Sequence, residues 1–140
     1  MITGGCLCGA VQYRLTGPLG DIVHCHCETC RKTHSSAFSS VAAVADEDFQ
    51  ILSGVENLRY FESSPGKLRW FCQACGSHIY AKRAGTAHLI LRLGSLDNAS
   101  LTADNTPCER SHIWVSQQAN WYRGDAELPV YDEFEPVTDG

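Results

Sequence analysis

Short apolar or alternating stretches recur along the whole chain, and most of them end at glycine, proline or acidic residues. Residues 9–15 alternate and place Val11, Tyr13 and Leu15 on one side, which is typical of a half-buried strand. The nearly continuous apolar run over 38–45 predicts a strand that is covered on both faces. Further strands are predicted at 22–25, 49–52, 58–61, 68–72, 77–81, 88–93 and 112–115.

Turns and helices complete this pattern. Ser63-Ser64-Pro65-Gly66 separates two predicted strands and is typical of a hairpin turn. Helix is sparse, with one turn expected after Cys27 and another near Asp97–Leu101. Many short strands with frequent turns predict a mainly β fold, as a sandwich, a barrel or a tent.

The length of 140 residues suits a single domain with one hydrophobic core. We expect that domain to cover residues 1–128, followed by a loosely held acidic C-terminal tail at 129–140. The first residues lack a basic segment followed by an apolar run, and no stretch has the roughly 20 apolar residues that a membrane span needs. We therefore expect a cytoplasmic protein that does not engage membranes.

The charge balance narrows the choice of partners. Eleven Lys and Arg residues against sixteen Asp and Glu residues give a formal net charge of −5. An acidic surface repels phosphate backbones and anionic lipids. Nucleic acid and membranes are therefore not expected as partners.

Eight cysteines are the main candidates for chemistry, and seven of them fall into three short groups. Disulfides are typical of secreted scaffolds, which this sequence does not resemble. A thioredoxin-type redox pair needs a βαβ context, and the pattern of short strands does not predict one. Metal binding is the favoured interpretation, with disulfides and redox pairs as alternatives. The cysteines are Cys6, Cys8, Cys25, Cys27, Cys30, Cys72, Cys75 and Cys108.

Two of the groups are two-sulfur clips that glycine follows, namely Cys6-Leu7-Cys8-Gly9 and Cys72-Gln73-Ala74-Cys75-Gly76. A tight turn aims both sulfurs of such a clip at one point. Two clips together supply the four thiolates of a closed tetrahedral zinc site, which is the structural type. The spacing thus predicts a structural zinc on Cys6, Cys8, Cys72 and Cys75.

The third group, Cys25-His26-Cys27-Glu28-Thr29-Cys30, offers three thiolates within six residues. Three protein ligands leave one zinc position open to water or substrate, which is the catalytic pattern. A zinc ion with three thiolates is a weak Lewis acid that suits a soft incoming ligand such as a thiol. The alternative is a closed second site, whose fourth ligand would be another histidine or cysteine, such as His24, His26, His34 or Cys108.

Four motifs in order resemble the glutathione-dependent formaldehyde-activating (GFA) enzymes, a family that includes centromere protein V. This resemblance implies a β-tent fold of short antiparallel sheets held together by zinc. It also implies two zinc ions per chain, with the same division of cysteines, and a carbon–sulfur lyase that joins formaldehyde and glutathione reversibly to S-hydroxymethylglutathione. The motifs are 4–11, 24–32, 71–76 and 112–115, with Trp121 after the last.

One departure from the family concerns the loop after the second motif. Many members have glycine shortly after the Arg-Lys pair, where this chain has Thr33-His34-Ser35-Ser36. If that position needs a positive φ, Ser35 or Ser36 is strained.

Few residues outside the cysteine groups are candidates for the chemistry. His34 lies just beyond the three-cysteine group and, with Glu28, is the candidate for proton transfer, although both residue types are common on surfaces. His112 is expected as a hydrogen-bonded core histidine, and Cys108 as a spare thiol. The sequence predicts a zinc-dependent carbon–sulfur lyase that acts on a small thiol such as glutathione with an aldehyde. A non-catalytic zinc-binding thiol carrier or protein-interaction module is the alternative.

Overall fold

The computed structural model describes residues 1–124 and 127–136. Two compact units are present, and each combines two separate stretches of chain. The first unit contains residues 1–20 and 42–107, and the second contains 21–41 and 108–140. The predicted boundary between a domain and a tail at residue 128 stays a prediction.

The described residues form ten short strands and one α-helix, so the mainly β fold class is confirmed. No helix in this part of the chain is both long and apolar enough to cross a membrane. The elements are β1 (Ile2–Gly5), β2 (Gln12–Leu15), β3 (Ile22–Cys25), α1 (Glu28–His34), β4 (Ser39–Ala45), β5 (Phe49–Ser53), β6 (Leu58–Ser64), β7 (Lys67–Cys72), β8 (His78–Arg83), β9 (His88–Arg92) and β10 (Glu109–Ile113).

The first unit holds a three-stranded antiparallel sheet in the order β1-β2-β5. Its other sheet runs in the order β4-β9-β8-β7-β6, to which β4 contributes its C-terminal residues. Alternation along β2 buries Tyr13 and Leu15, which pack with residues of β8 and β9 in one core. The largest fully buried side chains of this unit are Val11, Tyr13, Leu15, Val44, Ile79 and Leu91.

The second unit orders its strands β10-β3-β4. β3 pairs antiparallel with the first residues of β4, whereas β10 pairs parallel with β3. Residues 129–133, which we expected to be loosely held, accept or donate four backbone hydrogen bonds with residues 112–115. Two of these bonds satisfy the N–H and the carbonyl of His112 at the open edge of β10, and the other two hold the residues directly after the strand. Residues 137–140 of the predicted tail lie outside the described residues.

The apolar pattern located most elements but not the first strand. β1 contains two glycines and a single large apolar residue, Ile2, so its sequence has little strand character. The strand that we predicted from residue 9 begins only at Gln12, because Gly9 has a φ of 81° in a turn. The predicted hairpin is present, with Gly66 at a φ of 82° between β6 and β7.

Candidate metal centres

The N-terminal two-sulfur clip follows β1 directly. Gly9 donates its backbone N–H to the Cys6 carbonyl (3.1 Å), and its positive φ closes the turn. The Val11 N–H donates to Cys6 Sγ at 3.2 Å. Such a hydrogen bond favours the thiolate form of the cysteine, which is the form that binds metal.

The second clip lies in the same unit and follows β7. The Gly76 N–H donates to the Cys72 carbonyl at 2.7 Å, and Gly76 has a φ of 78°. Both clips therefore use the same backbone device, in which a glycine with positive φ closes a short loop of cysteines.

The sulfurs of the two clips converge to a single group. All four Sγ atoms lie within 4.8 Å of one another, with 3.5 Å from Cys6 to Cys8 and 3.8 Å from Cys8 to Cys72. A tetrahedral zinc with Zn–S bonds of about 2.3 Å requires sulfurs about 3.8 Å apart. A disulfide would need about 2.05 Å, and every cysteine is a free thiol. The donor set therefore fits a tetrahedral metal site.

Ser77, which the sequence analysis did not single out, links the two clips. Its Oγ accepts the Leu7 N–H at 3.0 Å and lies 3.2 Å from Cys75 Sγ. The Ser77 side chain, followed by the Cys8 backbone, lowers the pKa of the Cys75 thiol to about 5. The contact between Ser77 and Leu7 could not be predicted from the segment Cys75-Gly76-Ser77, because Leu7 is distant in the sequence.

The third cysteine group lies in the second unit, at the junction of β3 and α1. Cys25 ends β3, Cys27 is the N-cap of α1, and Cys30 lies buried within the helix. Cys27 Sγ accepts the Cys30 N–H at 3.3 Å, so one ligand candidate also caps the helix. The neighbouring Cys27 and Cys30 thiols, together with burial, raise the pKa of Cys25.

The three sulfurs of this group also lie within 4.8 Å of one another. Among the described residues, no histidine, carboxylate or further cysteine joins them as a fourth donor. The group therefore offers three thiolates to a metal ion, which agrees with the spacing argument.

A loop after β10 braces the three-cysteine group. The Gln117 side-chain Oε1 accepts the Glu28 N–H at 2.9 Å, and the Gln117 carbonyl accepts from Arg31 Nε at 3.0 Å. The His26 N–H donates to the Ile113 carbonyl at 3.0 Å. Trp114, which begins this loop, has a φ of 57°, a backbone conformation that is unfavourable for a bulky residue.

The histidines beside this group bond to one another or to Ser40 and Glu109, and in the described residues none joins the three cysteines as a metal-ligand candidate. His26 is fully buried, and its Nε2 lies 2.7 Å from Nδ1 of His112. His24 bonds through Nδ1 to Ser40 (2.8 Å) and through Nε2 to Glu109 (2.6 Å). Burial, followed by the nearby His112 ring, lowers the pKa of His26 to about 4, so its imidazole is neutral at pH 7.

A cavity of about 120 Å³ lies against the paired histidines, within the second unit. Its wall is partly polar and partly apolar. It is lined by His26, His112, Val115, Gln118, Tyr122, Gly124 and Val130.

The other predicted residues occupy different places. Glu28 is exposed and pairs with Lys32 at 3.2 Å, and His34 ends α1. Neither residue lines the cavity beside His26. Cys108 is exposed and belongs to neither sulfur group, while His112 is the buried, hydrogen-bonded histidine that we expected.

Fold and site together define a class of small β protein with two groups of converging cysteines that could each hold a metal ion. The family model for glutathione-dependent formaldehyde-activating enzymes (GFA) matches residues 1–117. The chain belongs to this family. The predicted resemblance is thereby confirmed.

Individual relatives agree with the family. A Halomonas elongata protein named "Putative glutathione-dependent formaldehyde-activating enzyme" is 27% identical over 128 residues, which is 86% of this chain and 79% of that protein. An uncharacterized lyase from Schizosaccharomyces pombe is 34% identical over 77 residues, which is 55% of this chain and 54% of that protein. The crystal structure of a Rhodobacter sphaeroides protein superposes with a TM-score of 0.59 at 24% identity and covers 73% of this chain and 92% of that one. At this identity the last likeness shows the fold.

Proposed function

We propose that this chain is a zinc-dependent carbon–sulfur lyase that forms and cleaves the adduct of a small thiol, such as glutathione, with an aldehyde. The observation that carries the proposal is the division of seven cysteines into one group of four and one group of three. The four-sulfur group satisfies a tetrahedral metal from protein atoms alone, as a structural zinc does. The three-sulfur group leaves one zinc position for a reactant.

The reaction requires no oxidant or reductant. One carbon–sulfur bond forms between the thiol sulfur and the carbonyl carbon, and the thiol proton passes to the carbonyl oxygen. A zinc ion on Cys25, Cys27 and Cys30 would supply a soft binding position for the thiolate and positive charge beside the developing oxyanion. The chain itself holds Cys25 at the end of β3, and it holds Cys27 and Cys30 through α1 and the hydrogen bonds of that helix to Gln117.

Proton transfer is assigned to His34 or Glu28 in this proposal, because both belong to the helix that carries Cys30. A positioned acid or base contributes about 10²- to 10⁴-fold to a rate. Replacing His34 by Gln, or Glu28 by Gln, should therefore lower turnover by at least about 100-fold for the residue that moves the proton. A change of less than about threefold in both variants would remove the assignment.

The compartment and partners follow from the same chemistry. Thiolate sites need reducing surroundings, because an oxidising compartment converts neighbouring thiols to disulfides. We therefore assign the protein to the cytoplasm, with glutathione and an aldehyde as its partners.

The decisive experiment measures two quantities on the same zinc-loaded samples. Exchange NMR gives the rate at which formaldehyde and glutathione interconvert with their adduct, and elemental analysis gives zinc per chain. We expect acceleration by the wild type, and for Cys27→Ser the loss of one of two zinc ions and of more than about tenfold in rate. Cys108→Ser, which alters a thiol outside both groups, is the matched control and should change neither quantity.

Other outcomes separate the alternatives. Two zinc ions that bind glutathione without any acceleration of exchange would identify a thiol carrier and would contradict the lyase. Retention of both zinc ions by Cys27→Ser would show that the three-sulfur group is not a metal site.

A further inference from the structure

The cavity beside His26 and the three-cysteine group share one loop. His26 lies between Cys25 and Cys27, and its ring lines the cavity while its backbone N–H is held by Ile113. A molecule in the cavity is therefore in contact with the residue that separates two of the candidate ligands. This placement makes the cavity a candidate site for one of the two reactants.

One polar atom of the cavity wall lacks a hydrogen-bond partner in the described part of the chain. His26 is fully buried, yet its Nδ1 has no hydrogen-bond partner among the described residues. Nε2 of His26 bonds to Nδ1 of His112, so the ring nitrogen of His112 that does not take part in this bond is its Nε2. In a neutral pair of this kind, one outer nitrogen carries a proton and the other a lone pair. The pair can thus donate to a carbonyl oxygen or exchange both kinds of hydrogen bond with a hydroxyl group.

The remaining wall is more apolar than polar. Val115, Val130 and Tyr122 line it together with Gln118, and the Tyr122 ring lies beside Gly124. An apolar wall that ends at two imidazoles fits a ligand with a short hydrocarbon chain and one oxygen-bearing end.

Size selects among the reactants. A cavity of about 150 Å³ accommodates benzene, which has six carbon atoms, so the 120 Å³ present here corresponds to about five non-hydrogen atoms. Formaldehyde would leave most of this volume empty, and a tripeptide thiol is several times too large. The cavity therefore matches neither formaldehyde nor the whole of glutathione in size.

We propose that this cavity binds the carbonyl partner of the reaction, and that this partner is a short-chain aliphatic aldehyde of about five non-hydrogen atoms, with the size of butanal. The chain lies against Val115 and Val130, and the oxygen bonds to the His26–His112 pair. In this arrangement the histidine pair, and not His34 or Glu28, faces the oxygen that receives the proton. The inference rests on the proposed function for the identity of its reactant. The cavity as a site for a short-chain oxygen ligand stands on its geometry alone.

Binding is tested first without any reaction, with unreactive primary alcohols as probes. Zinc-loaded protein is titrated with ethanol, butan-1-ol and hexan-1-ol while the imidazole nitrogens of the histidines are followed by NMR. Each buried methylene is worth about fourfold in affinity, so butan-1-ol should bind about 15-fold more tightly than ethanol. Hexan-1-ol should gain much less than fourfold per methylene, because its last carbons extend beyond the cavity into solvent. Continued fourfold gains to hexan-1-ol, or unshifted His26 and His112 resonances, would overturn the site.

Variants then connect the cavity to turnover. Val115 and Val55 each begin a single-turn 3-10 helix, but Val55 is exposed in the first unit. Val115→Phe should fill the cavity and lower the ratio of butanal to formaldehyde turnover by about tenfold or more, and Val55→Phe should leave that ratio at the wild-type value. Circular dichroism and zinc content confirm that both variants are folded.

The two proposals fail in different ways. A chain-length limit at butan-1-ol without turnover of any aldehyde would remove the lyase function and leave the cavity as a binding site. Rapid turnover of formaldehyde together with no response to butan-1-ol would overturn the cavity proposal and leave the lyase function in place.

Discussion

Ser35 adopts a backbone conformation that glycine favours. It caps the C-terminus of α1 at φ 50° and ψ 45° and donates its N–H to the Arg31 carbonyl. From the sequence, we expected strain at Ser35 or Ser36 if the loop after Arg31-Lys32 needs a positive φ. In the structure, the residue with the positive φ is Ser35. A left-handed conformation costs a residue with a Cβ about 1 kcal/mol or more relative to glycine.

Replacing Ser35 by glycine should therefore stabilise the protein. We expect the free energy of unfolding of zinc-loaded Ser35→Gly to rise by about 0.5–1 kcal/mol, measured by urea denaturation. Ser36 does not have a positive φ, so Ser36→Gly should leave stability unchanged or lower it. Equal effects of the two substitutions would contradict the assignment of strain to Ser35.

Residue chemistry was predictable where it depends on short spacing. The seven grouped cysteines form the two sulfur groups that their spacing predicted, and each short motif is a local structure. The His26–His112 bond was not predictable, since it joins residues 86 apart. The role of Ser77 was hidden for the same reason, because its partner Leu7 is 70 residues away.

At the scale of elements, α1 has too few residues to be stable alone. It spans seven residues, whereas isolated helices shorter than about 12 residues are marginal in water. Cys27 Sγ caps its N-terminus, and Gln117 binds the Glu28 N–H and the Arg31 side chain. The geometry of the three-cysteine group therefore depends on a loop that contains none of its cysteines.

Gln117→Ala should loosen this group without touching a sulfur. We expect the zinc affinity of the three-cysteine group to fall by about 10- to 100-fold, as for other residues that orient metal ligands. Competition with a coloured chelator measures this affinity, and the four-sulfur group should keep its own. Gln50 is the matched control, because its Oε1 also accepts one N–H, in this case from the Arg14 side chain in the first unit. An unchanged affinity in Gln117→Ala would show that α1 holds its ligands without this brace.

Element prediction succeeded for strands with a local pattern and failed for long-range pairing. The β6–β7 hairpin could be predicted from its turn residues. The parallel pairing of β10 with β3 could not, because it joins segments that are distant in the sequence and neither segment has a pattern that indicates its partner. The order of the sheets was not predicted for this reason. The open edge of β10 likewise gave no reason to expect that residues 129–133 would be held beside it.

For the whole molecule, the two sulfur groups should differ in how they release metal. The four-sulfur group joins Cys8 to Cys72, 64 residues apart, and closing a long loop contributes most to stability. The three-sulfur group closes only a short loop. Metal bound to the four-sulfur group should therefore stabilise the fold strongly, and metal bound to the three-sulfur group should contribute less to the free energy of unfolding.

A chelator should accordingly remove zinc in two phases. We expect one zinc to leave rapidly with little change in the far-ultraviolet circular dichroism, and the other to leave slowly together with loss of structure. Cys27→Ser should lack the rapid phase, and Cys8→Ser should lack the slow one and be destabilised by several kcal/mol. Release of both zinc ions in a single phase would contradict the division into two kinds of site.

The division of each unit into two stretches of chain also has a consequence during synthesis on the ribosome. The three cysteines at 25–30 leave the ribosome before Gln117, which braces their helix and lies 89 residues after Glu28. At about 5–20 residues per second, this delay lasts roughly 5–20 s. During that interval the nascent chain carries the three thiols before Gln117 can form its hydrogen bonds to their helix. Early metal capture or a reducing environment would protect them, so the supply of zinc during translation should influence the yield of folded protein.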